Sequence, residues 1–335
     1  MRVCVLGAGA WGTSLALLLA KKGIEVTLWC NTAELYEEIK RNAENTVYLP
    51  GYKLPNKVAL ALDPLTVLEN VYIIVVAIPG KYLGAAAREF AGHLDNQMTV
   101  VSVVKGIEPN ESLTMSELLQ KHWSLDESRI SVLSGPNFAK EVASRMPSAA
   151  VVASKNCDLT QSVQQLFSTA YFRVYRSSDV KGVEMGGVLK NVVAIGAGII
   201  EGLGYGDNTK AALIVRGLEE SKRLFAKMGC SEKTLVGLSC LGDMVATCSS
   251  PLSRNKRFGY LIGKGENPLE ARNTISPDGQ AIEGLESLEG LLKLAKALGV
   301  ELPIAEEISE VTSGSTIPLK AVRRLMTREL KAEYL

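Results

Sequence analysis

Lys190 and Asn191 stand side by side in residues 182–198, GVEMGGVLKNVVAIGAG. Apolar residues surround the pair, small residues recur at 186, 187, 194, 196, 197 and 198, and no proline intervenes. The pattern predicts one buried helix. Glycine costs a helix roughly 1 kcal/mol relative to alanine, so the five glycines here predict that other backbones, or a ligand, approach closely. A lysine packed among Val188, Leu189, Val192 and Val193 is disfavoured in its charged form, which drives its pKa toward neutrality. A lysine that moves protons needs that property. The same residue could instead lay its stem on the apolar face and keep its ammonium in water. This stretch alone does not choose between the two.

Other residues bear on the choice. Lys105 directly follows the apolar run 98–104, and in open α/β sheets ligands lie at the carboxyl ends of strands. Taken alone it could equally be an ordinary strand-end lysine. Asp243 and Thr247 are spaced i, i+4, on one face of a helix. In Ser253-Arg254-Asn255-Lys256-Arg257 the serine is a natural N-cap and the arginine offers a charged fork beside a helix N-terminus. That is a ready phosphate site, with a solvated basic helix face as the alternative.

The elements that must position these residues start at the N-terminus. A β-rich run, 2–6, leads into Gly7-Ala8-Gly9-Ala10-Trp11-Gly12, then a helical segment 13–22 stopped by Gly23, then a strand at 25–29. Strand, G-x-G-x-x-G, helix, strand is a dinucleotide-binding arrangement rather than a chance glycine turn. Gly7 allows the tight turn, Gly9 lets a pyrophosphate reach the backbone, and Gly12 lets the helix lie against the strand. No carboxylate ends the second strand, where Cys30, Asn31 and Thr32 follow Trp29. NADP is therefore left open beside NAD, although no arginine stands there for a 2′-phosphate.

Apolar runs at 58–62, 71–78, 98–104 and 130–133 read as parallel-sheet strands, with 149–153 and 172–175 as additions at the far edge. Near Asp179 strand patterns cease. The expected architecture is α/β: a doubly wound Rossmann-type domain over 1–179, followed by an all-helical domain over 180–335. Expected helices include 209–228 capped by Asp207-Asn208, 281–298, and a basic terminal helix 317–331.

Composition excludes several classes. With 335 residues, 47% hydrophobic, and a net charge of +1, nothing calls for nucleic acid or an anionic membrane surface. Two histidines and six cysteines without a C-x-x-C pair offer no metal framework, and Cys4 and Cys30 read as reduced core residues. No targeting segment is visible, and no apolar run is expected to reach the length of a membrane span. A soluble, cytoplasmic protein is the expectation.

The assembled motifs resemble the NAD(P)-dependent sn-glycerol-3-phosphate dehydrogenases over essentially the whole chain. The matching stretches are GAGAWGTSLA (7–16), KGIE (105–108), SGPNFAKEVA (134–143), residues 187–214, residues 237–259 and QAIEG (280–284). The resemblance implies reduction of dihydroxyacetone phosphate to sn-glycerol 3-phosphate with NADPH or NADH, supply of phospholipid backbones, and a homodimer. It implies Lys190 as proton donor and acceptor, with Asn191, Lys105, Asp243 and Thr247 in the reacting site. Ser253, Arg254 and Asn255 would hold the substrate phosphate, with Gly135 and Asn137 also touching substrate. Gly7, Gly9, Ala10, Trp11, Gly12, Asn31, Lys105, Ala139, Arg254, Ala281 and Glu283 would contact cofactor. Three positions depart from the family: Asn137 replaces a usual Ser or Thr, Asn31 a frequent basic residue, and Ala281 a common valine.

In such a mechanism Lys190 donates the proton, Lys105 and Asn191 polarise the carbonyl, and Asp243 steadies Lys190 and opposes the fall in its pKa. Two other functions are weighed against this one. A β-hydroxyacid dehydrogenase of related architecture would want a carboxylate site. A non-catalytic NAD(P)-sensing protein would not need Lys190, Lys105 and Asp243 together.

Overall fold

The structure is a computed structural model and describes residues 2–333 except 96, 278 and 331. Eight strands form one sheet: β1 (Arg2–Leu6), β2 (Glu25–Trp29), β3 (Val58–Ala61), β4 (Ile73–Val76), β5 (Thr99–Ser102), β6 (Ile130–Ser134), β7 (Ser148–Ala153) and β8 (Phe172–Ser177). Their spatial order is β3-β2-β1-β4-β5-β6-β7-β8. All neighbours are parallel except β6 and β7, which run antiparallel. Strands β1 and β4 to β6 are almost wholly buried, because helices cover both faces. Two separate apolar cores lie on the two sides of the sheet.

The order reverses between β1 and β4, and the first turn opens there. Gly7 has φ +113° and is followed by the helix Ala10–Lys21. A side chain at Gly12 would stand 1.9 Å from the Gly7 carbonyl oxygen, so glycine is what lets the helix start this close to the strand. Buried Asn45 braces the turn by donating to the Ala8 carbonyl (2.7 Å) and the Thr13 hydroxyl (2.8 Å). The helix ends at Lys21 with Lys22 as its C-cap, and Gly23 takes the left-handed conformation after it.

After β8 the described chain is entirely helical. Its centre is the helix Val180–Gly202, capped by Asp179 and buried along nearly its whole length. At 23 residues with a mean hydropathy of 1.5 it is long and apolar enough to cross a membrane, which corrects the expectation that no run reaches that length. That apolar stretch is buried inside the protein. The helix Arg254–Gly263 crosses it backbone to backbone. A Cβ at Gly198 would stand 1.9 Å from the Lys256 carbonyl oxygen, and one at Gly259 would stand 2.0 Å from that of Ile195. The glycines of this helix thus serve close packing.

Other expectations shift by a few residues. The helix Asp207–Met228 begins at Asp207 itself; Gly206 holds the cap position, and Asp207 lies in the first turn, 3.4 Å from Lys210. Helices Glu283–Ala297 and Pro318–Met326 replace the broader ranges, and the expected end at 331 lies outside the described residues. Buried Glu184 of the central helix joins the two halves: it accepts from the Ser116 backbone N–H (2.8 Å) and hydroxyl (2.6 Å), at the start of the helix Met115–Trp123.

Candidate active site

A cavity of about 670 Å³ runs from the glycine turn, along the carboxyl ends of the strands, to the central helix. It gathers Gly7, Gly9, Ala10, Trp11, Asn31, Lys105, Asn137, Ala139, Lys190, Asn191, Asp243, Thr247, Ser253, Arg254, Asn255, Ala281 and Glu283. Gly12 and Gly135 are not in its wall. Gly12 lies beneath the turn, for the packing reason given above. Gly135 acts through its carbonyl, which accepts from Lys105 Nζ at 3.2 Å.

The chemistry concentrates at the inner end. Asp243 follows a π-helical turn, Leu238–Gly242, and begins the helix Asp243–Ser249. Its two oxygens face two lysines: Oδ2 lies 2.5 Å from Lys105 Nζ, and Oδ1 lies 3.2 Å from Lys190 Nζ. One turn later Thr247 donates its hydroxyl to Asp243 Oδ1 at 3.1 Å and accepts from Lys190 Nζ at 2.9 Å. Lys190 is 6% exposed and Asp243 2%.

Burial drives the Lys190 ammonium below the ordinary lysine range; Asp243 opposes that fall and the Lys105 ammonium assists it. For Asp243 burial works upward, but Lys105 and Lys190 outweigh it and hold the carboxyl below its usual value. An ammonium has three N–H donors. Thr247 takes one of those on Lys190, with Asp243 beside it as an ion pair, while Gly135 and Asp243 take two of those on Lys105. Each lysine keeps a donor for a ligand.

Beside Lys190, a chain of amides fixes the next residues. Asn191 donates to Glu283 Oε2 (2.9 Å), Asn255 donates to Asn191 Oδ1 (2.8 Å), and the Gly284 N–H donates to Asn255 Oδ1 (2.9 Å). Ser253 caps its helix by accepting from the Lys256 N–H at 3.2 Å, which leaves its hydroxyl proton for another acceptor. Arg254 is steadied by Gln280 Oε1 at 2.9 Å. Lys256, although in the same basic cluster, is 2.9 Å from Glu201 and 3.1 Å from the Ser249 carbonyl, outside the cavity wall. Asn137 spends its amide N–H groups on the Pro136 and Ala149 carbonyls (3.0 and 2.9 Å), tying the turn after β6 to β7.

The outer end fits a dinucleotide. The helix Ala10–Lys21 has no side-chain cap and no acid in its first turn, so its leading N–H groups face the cavity unscreened. Space around Gly9 is open where a side chain would begin. Ala139 starts a short helix held to the first by a Ser14–Ala139 bond of 2.9 Å. Trp29, Asn31, Leu35 and Tyr48 line this end, with Glu89 also in the wall, on the helix whose Phe90 packs against Trp29. Sequence reasoning missed the brace from Asn45, and Gln280, Phe138 and Ser134 in the wall. Gln280 lies in the QAIEG stretch, and Ser134 and Phe138 lie in SGPNFAKEVA, but nothing local gave these three a role. Asn45 becomes visible only through its contacts with Ala8 and Thr13, distant in the chain.

A dinucleotide-type sheet whose carboxyl edge abuts a buried lysine–aspartate cluster is the architecture of the two-part dinucleotide-dependent dehydrogenases. The chain belongs to the NAD-dependent glycerol-3-phosphate dehydrogenase family, whose N-terminal description matches residues 2–160 and whose C-terminal description matches residues 179–323. It is 41% identical over 333 residues to the glycerol-3-phosphate dehydrogenase [NAD(P)+] of Solidesulfovibrio magneticus, covering 99% of this chain and 100% of that one. It is 44% identical to the protein of the same name from Syntrophotalea carbinolica, covering 99% of each. The crystal structure of glycerol-3-phosphate dehydrogenase from Coxiella burnetii superimposes with a TM-score of 0.93 at 35% identity, over 98% of this chain and 99% of that one. D-mandelate dehydrogenase, at 14% identity and a TM-score of 0.65, shares the fold alone.

Proposed function

We propose that the protein interconverts dihydroxyacetone phosphate and sn-glycerol 3-phosphate with NADPH or NADH. The observation that carries this is the Lys105–Asp243–Lys190–Thr247 cluster, set in one cavity with the glycine turn. The bound dihydronicotinamide supplies the hydride. Lys190 and Lys105 each direct a remaining N–H at the ketone oxygen, and Lys190, with its lowered pKa, gives up its proton as the alkoxide develops. Asp243 and Thr247 hold Lys190 on that line, and Asn191, beside it in the cavity wall, helps to orient the carbonyl. Arg254, Ser253 and the helix N-terminus take the phosphate and orient the ketone.

The division at 179/180 assigns the dinucleotide to the sheet half and the substrate to the helical half. NADPH is the favoured cofactor, because no carboxylate at Asn31 opposes a 2′-phosphate. A cytoplasmic location accords with six cysteines that form no disulfide. Supply of phospholipid backbones and a homodimer complete the reading. The test is loss of reduced-nicotinamide absorbance with dihydroxyacetone phosphate, set against 2- and 3-ketoacids, for both cofactors. Turnover confined to the phosphorylated triose, with sn-glycerol 3-phosphate as product, is expected; turnover confined to ketoacids would move the function to hydroxyacid chemistry.

A further inference from the structure

One polar group in the cavity wall has no partner in the protein. Ser134 closes β6 and is 5% exposed, and its Oγ is buried without a hydrogen bond. That is unusual for a buried hydroxyl. Ser131, on the same strand, donates to the Val100 carbonyl at 3.2 Å, and Ser154 donates to that of Ile130 at 2.7 Å. Ser102 and Ser239 share the lack of a partner, but neither is in the cavity wall.

The position of this hydroxyl is defined by the central helix. A Cβ built at Gly187 would lie 3.1 Å from Lys105 Cγ and 3.6 Å from Ser134 Oγ. Gly187 precedes Lys190 by three residues, close to one turn on the same face. Ser134 Oγ therefore sits beside the Lys105 stem, one helical turn from the proton donor, and approaches from the sheet. Arg254 approaches from the helical half. A triose phosphate carries one polar group on each carbon: phosphate ester, ketone and free hydroxyl. The first two have their partners in Arg254 and the lysine pair.

We propose that Ser134 binds the third, the free hydroxymethyl group of dihydroxyacetone phosphate, and so selects a hydroxylated triose. This rests on the reaction assigned above. A serine hydroxyl can both donate to and accept from an alcohol, and a site built to bond a substrate hydroxyl discriminates against the analogue lacking it.

The test compares wild type and Ser134→Ala on dihydroxyacetone phosphate and on hydroxyacetone phosphate, which has hydrogen in place of that hydroxyl. The variant should lose about three- to tenfold in kcat/KM on dihydroxyacetone phosphate, the worth of one neutral hydrogen bond. On hydroxyacetone phosphate it should change less than about twofold, with the KM for cofactor unchanged. Its Tm should be equal to wild type or higher, since no bond within the protein is lost. An equal loss on both substrates, or a raised KM for cofactor, overturns the assignment and gives Ser134 to the scaffold or to the nicotinamide. If the wild type does not reduce dihydroxyacetone phosphate at all, the reaction assignment fails first and takes this one with it.

Discussion

A carboxylate between two ammonium groups pulls a lysine in two directions. It favours the charged form, while burial and the second ammonium oppose it. At Lys190 burial is the largest influence and the outcome is a lowered pKa. The rate of ketone reduction should therefore decline as pH rises through that depressed pKa, because the acid form is lost. Phosphate recognition is separable from this chemistry. Arg254→Lys keeps the charge but loses the planar fork, and one charge-assisted contact is worth roughly 1.5–3 kcal/mol. The variant should lose about ten- to a hundredfold in kcat/KM for dihydroxyacetone phosphate, while its weak activity on phosphate-free dihydroxyacetone hardly changes. Equal losses on both would mean that Arg254 acts through the cofactor or the fold. Lys256 could not then take over, because Glu201 and the Ser249 carbonyl already hold it.

The glycines of the central helix and its partner decide how near the N-terminus of Arg254–Gly263, the proposed phosphate site, comes to Lys190. Gly198→Ala would press a methyl group against the Lys256 carbonyl. Overpacking of this kind costs roughly 1–3 kcal/mol; thermal unfolding should show a lower Tm, with activity falling as the two helices part. Glu184, which joins the halves, supplies a pH test. Burial pushes its carboxyl up to about 7, against roughly 4.3 in an unfolded chain. Between those values the native state binds more protons, so this contribution to stability is full at low pH and is lost as pH rises through 7. Wild type should lose roughly 3 kcal/mol relative to Glu184→Gln between pH 4 and pH 8, measured by urea unfolding. No change in that difference would remove Glu184 as the titrating group.

Across the whole molecule, what could be read in advance depended on the range of the interaction. The strand, glycine turn and helix at the N-terminus form within thirty residues, so their pattern was complete in the sequence. The apolar neighbours of Lys190 left open whether its ammonium reached water, and only the folded structure, at 6% exposure, decides for burial. Asp243 and Thr247 share a face because helical spacing puts them there. Contacts that close only on folding left no local signal. The bond by which the Gly135 carbonyl anchors Lys105 spans 30 residues of chain. Asn45 braces a turn 37 residues before it, and the reversal of β7 against β6 had no sequence counterpart. The pairing of Lys256 with Glu201, far earlier in the chain, is likewise a contact without a local signal.

If Lys190 is the acid in the reduction of dihydroxyacetone phosphate, its removal must fall on kcat and not on the fold. The most direct measurement is kcat of Lys190→Met beside wild type, with dihydroxyacetone phosphate and NADPH, on protein shown to be folded by its melting curve. Methionine suits the buried helix, and Asp243 keeps Lys105 as a partner. A cooperative melt and a fall in kcat of about 10²–10⁴-fold, the worth of a positioned general acid, are expected. A folded Lys190→Met protein with near-normal kcat would contradict it.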